Sequence, residues 1–123
     1  MKKIILIGSE GTLGKFYTKN LIKFNKKLVI ADIKIKKDSK KGKLIKQKLN
    51  IENEEEVQNF FKKISQLYGK FDILINNAGL TNDGIQTIKK KHYSKEDFDS
   101  KIWDKTNNIN LKGTFLACKY FLK

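Results

Sequence analysis

Several short stretches of this chain place glycines, amides and an acid where chemistry on a phosphorylated ligand could be done. Gly8-Ser9-Glu10-Gly11-Thr12-Leu13-Gly14 follows a β-branched run and opens a segment of helical apolar spacing. In that context the backbone N–H groups at a helix start can point at a pyrophosphate, the helix dipole favours its charge, and Gly8, Gly11 and Gly14 let the main chain approach. The same loop also reads as an ordinary strand-to-helix turn in which glycine supplies a positive φ. Its spacing, G-x-x-G-x-x-G, differs from the G-x-G-x-x-G of the general dinucleotide fingerprint. Asp32 ends the next β-branched run, 24 residues after Gly8 and 18 after Gly14. An acid there can accept hydrogen bonds from ribose hydroxyls and repels a 2′-phosphate, although a solvated strand-end Asp is the plainer reading. Lys34, Lys36 and Lys37 follow at once and could accept a phosphate.

Amides recur at the ends of later elements. Asn50-Ile51 stands just before a capped helix, where Asn50 offers both a donor and an acceptor or serves as a turn residue. Asn76-Asn77-Ala78-Gly79 closes the apolar run Phe71–Ile75. Side-chain amides at a strand end can bridge neighbouring strands, and small Ala78 and Gly79 admit a ligand to the main chain, while an Asn-Gly turn is the alternative. Asn110 lies within Asn110-Leu111-Lys112-Gly113, where a lone Asn would otherwise be a local cap or bend. The single histidine, His92, falls in a polar stretch and reads as a solvated loop residue, and no cluster with metal-ligand spacing is visible. Trp103, Phe115 and Phe121 recur at helical spacing and read as core.

Taken together, the glycine loop, Asp32, Asn76-Asn77-Ala78-Gly79 and Asn110-Leu111-Lys112-Gly113 resemble the short-chain dehydrogenase/reductase family over essentially all 123 residues. The resemblance implies a nicotinamide dinucleotide as partner, NAD by virtue of Asp32 with NADP possible, and a small-molecule carbonyl or alcohol as substrate. It implies cofactor contacts from Gly8, Gly11, Thr12, Leu13, Gly14, Asp32, Asn50, Ile51, Asn77, Ala78 and Gly79. Asn110 is implied as the family's helix-interrupting asparagine, which orders a water in the proton relay. The loop departs from the short branch's T-G-x-x-x-G-x-G: Ile7 replaces the threonine, Thr12 the middle glycine, and Gly11 falls one place early, as in the extended branch and its sugar-nucleotide-modifying relatives. Asn50 stands where the family commonly has Asp. The family's Ser and Tyr-x-x-x-Lys pair would lie beyond Lys123. Four residues after Tyr17, Tyr68 and Tyr93 come Leu21, Asp72 and Asp97, and Tyr120 is followed by Lys123 at the wrong spacing. The expectation is a cofactor-binding half that does not turn over alone. A non-catalytic dinucleotide-binding protein is the alternative, and a basic protein for anionic polymers a more distant one.

The chain has 123 residues, 39% hydrophobic and 11% aromatic, enough for one domain with a core. The net charge of +14 comes from 27 lysines without an arginine. Specific nucleic-acid readers favour arginine's bidentate fork, and the lysines are spread along the chain, so composition bias is the reading and no specific nucleic acid is expected. Cys118 is the single cysteine, which suits a reducing, cytoplasmic setting. Ile4–Ile7 is too short for a signal peptide and no stretch approaches a membrane span, so neither secretion nor membrane attachment is expected.

These residues need elements to position them. Ile4–Ile7, Leu28–Ile33, Leu44–Ile51 and Phe71–Ile75 read as strands. Leu13, Phe16, Tyr17, Leu21 and Phe24 form a helical stripe against the sheet, with Lys34 to Lys43 a mobile loop. Asn53 and Glu56 form a capping box for a helix with stripe Val57, Phe60, Phe61, Ile64, Leu67 and Tyr68, ended by Gly69. A second box at Ser94 opens a helix carrying Phe98, Ile102 and Trp103, and 113–123 reads as a further helical segment. The order predicts an α/β, Rossmann-like parallel sheet with helices on both faces, ending after the fourth strand and its helix, and the family resemblance implies the strand order 3-2-1-4. Its fourth strand would be an unpaired edge that favours self-association.

Overall fold

The structure, a computed structural model, describes residues 1–80 and 99–122. Five strands form one sheet in the order β3-β4-β2-β1-β5, with β1 Lys3–Ile7, β2 Lys27–Asp32, β3 Ser39–Lys41, β4 Leu44–Lys48 and β5 Ile73–Asn76. The parallel part, β4-β2-β1-β5, has the expected order: a helix crosses over between β1 and β2 and another between β4 and β5, while β2 reaches β4 by way of β3. β1 and β2 lie in its middle and are apolar at successive positions, and successive side chains feed opposite faces. Ile4, Leu6, Leu28 and Ile30 pack with Tyr17, Leu21 and Ile22 of α1, Thr12–Phe24. Ile5, Ile7, Val29 and Ala31 pack on the other face against Val57, Phe60, Phe61 and Ile64 of α2, Glu54–Tyr68, and Leu116 and Ala117 of α4, Thr114–Phe121.

The N-cap and terminal-glycine signals of α2 behave as read, whereas the return bond of the capping box is not made: Glu56 Oε2 accepts from Asn50 N, and Asn53 N donates to Asn50 O. Asn53 Oδ1 accepts from Glu56 N at 3.1 Å, three glutamates occupy the first turn, and Gly69, at φ 71°, returns its N–H to Ser65 O. α3, Ser100–Asn107, is capped by Asp99, whose Oδ1 accepts from Lys101 N at 2.8 Å; the Ser94 box, Phe98 and His92 lie outside the described residues. A π-helical segment, Asn108–Gly113, joins α3 to α4.

Three expectations are corrected. The lysine stretch is not all loop: Ser39–Lys41 pairs antiparallel with β4 through a two-residue turn at Gly42, φ 58°, and Lys43, which makes the sheet mixed. An exposed edge strand has no apolar alternation to announce it, and lysines are what such edges carry. The α1 stripe is only partly buried, with Leu13, Phe16 and Phe24 more than half exposed, because the sheet reaches Tyr17, Leu21 and Ile22 instead. Leu67 of α2 is exposed as well. Trp103 and Phe115 are exposed rather than core, whereas Phe121 packs edge-on against Phe61 with centroids 6.2 Å apart.

Candidate functional site

The C-terminal ends of the parallel strands carry the chemistry. The chain leaves β1 at Gly8, φ 86°, in a conformation that favours glycine. A Cβ there would overlap the Ala78 amide nitrogen and stand 2.7 Å from the Asn77 carbonyl carbon, so the loop after β5 lies directly on the loop after β1. Asn77 fastens the two: its N–H donates to Ile7 O at 2.9 Å and its Nδ2 to Gly8 O at 2.8 Å. Gly14 is buried in the first turns of α1, and a Cβ there would overlap Gly8 O. Gly11 differs. It is the N-cap of α1, it makes no side-chain cap bond, no acid lies in the first turn, and a Cβ at Gly11 would meet nothing within 4 Å. Thr12 and Leu13 begin the helix and are exposed.

Asp32 holds two loops at the end of β2. Its Oδ2 accepts from Glu10 N at 3.0 Å and its Oδ1 from Lys34 N at 2.9 Å, which leaves each oxygen one further acceptor position. Asn50 is fixed similarly: its N–H donates to Glu56 Oε2 at 3.0 Å and its Oδ1 accepts from Glu52 N at 3.1 Å. Ile51 is buried, and a Cβ on Gly113 of the π-helical segment would meet its Cγ1 and Cγ2 at 3.0 Å.

Asn110 sits within the π-helical segment and faces the loop after β5. Its Oδ1 accepts from Leu80 N at 2.7 Å while its Nδ2 donates to Leu80 O at 2.8 Å. One amide thus satisfies both polar groups of one residue, as a neighbouring strand would. Asn76 bonds through Nδ2 to Cys118 Sγ at 3.4 Å, and its buried Oδ1 has no hydrogen-bond partner in the structure.

These groups enclose one cavity of about 270 Å³. Gly8, Gly11, Asp32, Asn50, Ile51, Asn77, Ala78 and Gly79 line it, while Thr12, Leu13, Gly14 and Asn110 do not. Asn110 reaches it through Leu80, which does. A larger cavity of about 530 Å³ opens at the other end of the sheet between α2, the start of β5 and the end of α4. It brings together Phe61, Phe71 and Phe121 with Gln58, Lys62, Ser65 and Lys70, but none of the glycine-loop, Asp32, Asn50 or Asn77 groups, so chemistry favours the smaller one.

Comparison with known proteins joins this geometry to a family. A family profile described as short chain dehydrogenase matches residues 2–123. The chain belongs to the short-chain dehydrogenase family. It is similar to the short chain dehydrogenase/reductase dpfgG of Gibberella zeae, 31% identical over 125 residues that cover 96% of this chain and 43% of that protein. It is also similar to 3-oxoacyl-(acyl-carrier-protein) reductase FabG of Thermotoga maritima, 36% identical over 74 residues, 60% of this chain and 26% of that protein. Among solved structures, ElxO with NADPH bound aligns at TM-score 0.76 and 27% identity, covering 99% of this chain and 50% of that one. A proposed D-mannonate oxidoreductase from Haemophilus influenza with bound NAD shares the fold at TM-score 0.83 and 24% identity, covering 98% and 49%. The chain spans about half the length, or less, of these relatives.

Within this short-chain dehydrogenase fold the cavity has wall residues that sequence reasoning passed over. Ile109, Leu80 and Leu49 give it apolar sides, and Lys105 adds a second lining cation to Lys34. Ile109 had a signal, since it directly precedes Asn110. Leu80 had none, because its place is set by a contact 30 residues away. Among the described residues no group of histidine, cysteine and acid could hold a metal, and no helix is long and apolar enough to cross a membrane.

Proposed function

We propose that this cavity holds a nicotinamide dinucleotide, and that the chain forms the cofactor-binding portion of an NAD(P)-dependent oxidoreductase acting on a small carbonyl or alcohol. The observation that carries this is the contrast between two glycines: Gly8 is filled by the Asn77–Ala78 backbone, whereas Gly11 is open above the uncapped start of α1. Free N–H groups at the first turn of a 13-residue helix suit a pyrophosphate. Gly11, Thr12 and Leu13 would supply them, with Gly14 letting the turn close against Gly8. The unused acceptor positions on Asp32 suit the adenosine ribose hydroxyls, and Asn50 and Ile51 suit the base. Asn77, Ala78 and Gly79 would border the nicotinamide side.

When bound, the dinucleotide supplies the hydride acceptor or donor. The chain's own residues bind and orient it. Asp32 disfavours a 2′-phosphate by charge, so NAD is the assigned cofactor. Asn110, by holding Leu80, fixes the wall of the cavity nearest the π-helical segment, and among the described residues its second N–H and second lone pair are left to order a water. Carbonyl reduction of this type also needs a tuned proton donor and an oxyanion stabiliser. No Tyr-x-x-x-Lys occurs in these 123 residues. Turnover therefore depends on groups outside them.

The test is calorimetric titration with NADH and NADPH, joined to an NADH-oxidation assay against ketones, aldehydes and oxoacyl thioesters. Binding without turnover, with NADH preferred and Asp32→Ala narrowing the preference, supports the reading. Absence of binding by the folded chain, or tighter NADPH binding, overturns the respective assignment.

A further inference from the structure

Part of the lysine charge, dispersed in sequence, is gathered in space. The end of the sheet opposite the cavity, where the parallel strands begin, gathers Lys2 and Lys3 at the start of β1, Lys26 and Lys27 at the start of β2, Lys41 and Lys43 at the β3–β4 turn, and Lys70 before β5. Neighbouring strands stand about 4.8 Å apart, so these cations share one face. Backbone bonds confirm it: Lys26 N donates to Lys2 O and Leu28 N to Lys43 O. Among the described acids only Asp72 lies at this end, and it is already taken by Lys3 N–H at 2.7 Å and Lys2 Nζ at 3.9 Å. Glu10, Asp32, Asp38 and the three glutamates of the α2 first turn lie toward the opposite pole.

Part of this charge serves the fold. Lys3 Nζ donates to Tyr68 O at 2.9 Å and Lys43 Nζ to Lys23 O at 3.5 Å, compensating the C-terminal ends of α2 and α1. Lys27 and Lys40 ammonium groups lie 4.4 and 5.4 Å from the Tyr68 ring centroid. Among the described residues, the Lys23, Lys26, Lys41 and Lys70 side chains make no such contact. Phe24, at the end of α1 between Lys23 and Lys26, is 74% exposed. A large apolar ring amid these lysines is the composition of a surface that rests on anionic headgroups, the ring entering the interface and the ammonium groups meeting phosphates. It suits nucleic acid less well, because Tyr68 and Phe71, the other aromatics here, are covered by Lys27, Lys40 and Lys3 and offer no free stacking face.

We propose that this basic face docks peripherally on an anionic bilayer, with Phe24 seated at headgroup depth and the opposite, cavity-bearing end turned to water. This goes beyond the dinucleotide reading and does not depend on it.

The experiment is sedimentation of the chain with vesicles of phosphatidylcholine alone or mixed with phosphatidylserine, at physiological ionic strength. The comparison that decides is between two triple variants of equal charge: Lys23→Glu/Lys26→Glu/Lys41→Glu on the face, and Lys19→Glu/Lys37→Glu/Lys101→Glu elsewhere. All six side chains are exposed, and circular dichroism checks that both triples fold. The expected result is binding that requires phosphatidylserine, falls roughly tenfold or more in the face triple, survives in the control triple, and weakens in Phe24→Ser. Equal loss in both triples would reduce the effect to net charge and overturn the proposal. So would duplex DNA displacing the vesicles with Phe24→Ser unchanged, which would assign the face to nucleic acid.

Discussion

Asn110 holds the backbone of Leu80 from both sides, accepting from its N–H at 2.7 Å and donating to its carbonyl at 2.8 Å. The clamp joins the π-helical segment to the loop that lies across Gly8, so three elements are fixed through one amide. Asn110→Ala should cost roughly 1–2 kcal/mol, the worth of two partly exposed hydrogen bonds. It should weaken dinucleotide binding more than it weakens folding, because Leu80 lines the cavity. Urea unfolding and calorimetry on the same variant check this; equal NADH affinity in wild type and variant would remove Leu80 from the site.

Gly8 and Gly11 should respond in opposite ways. Gly8→Ala forces a Cβ into the Ala78 amide at a positive φ, and a loss of about 3 kcal/mol or outright failure to fold is expected. Gly11→Ala meets open space and an N-cap conformation at φ −75°, so its stability cost should stay below about 1 kcal/mol. Chemical denaturation of both variants measures the contrast, and similar midpoints would contradict the close approach of the two loops.

Acid should loosen α4 from α2. Glu54 Oε1 accepts from Lys119 Nζ and from Tyr120 Oη, both at 2.8 Å, and these bonds hold the carboxyl below its ordinary value. A depressed folded pKa contributes stability that is present above the unfolded glutamate value and is lost as pH falls through the folded one. Urea midpoints of wild type and Glu54→Gln should therefore differ at neutral pH and converge in acid. A difference that persists unchanged at the lowest pH would show that the pairing is not what Glu54 contributes.

The free edge of β5 should promote association. Among the described residues β5 pairs only with β1, and Ile73 is 39% exposed. Sedimentation velocity should show concentration-dependent association that Ile73→Lys reduces. A monomer at all concentrations would mean that the edge is protected.

Much of this arrangement was legible in the chain because local signals and burial agreed. β1 and β2 are apolar at nearly every position because both faces of the sheet are covered, and the Asn53–Glu56 box marked the start of α2 to the residue. β3 was not legible, since Ser39–Lys41 is fully exposed and its pairing with β4 is a backbone matter in which side chains leave no pattern. Nor was the exposure of Leu13, Phe16, Trp103 and Phe115, because periodicity reports which residues share a helix face but not whether another element covers it. The candidate site divides the same way. Gly8, Asp32 and Asn77 announced themselves by type and place, whereas Leu80 and Lys105 enter through tertiary contacts alone.

Calorimetric titration of NADH into the wild-type chain and into Gly11→Val tests the central claim most directly. Gly11 is open, so the larger side chain should leave the fold intact by circular dichroism while standing in the path of a pyrophosphate at the start of α1. The predicted result is saturable binding by wild type and a loss of roughly tenfold or more in affinity in the folded variant. NADH affinity unchanged by Gly11→Val, or absent from the folded wild type, would contradict a dinucleotide site at this end of the sheet.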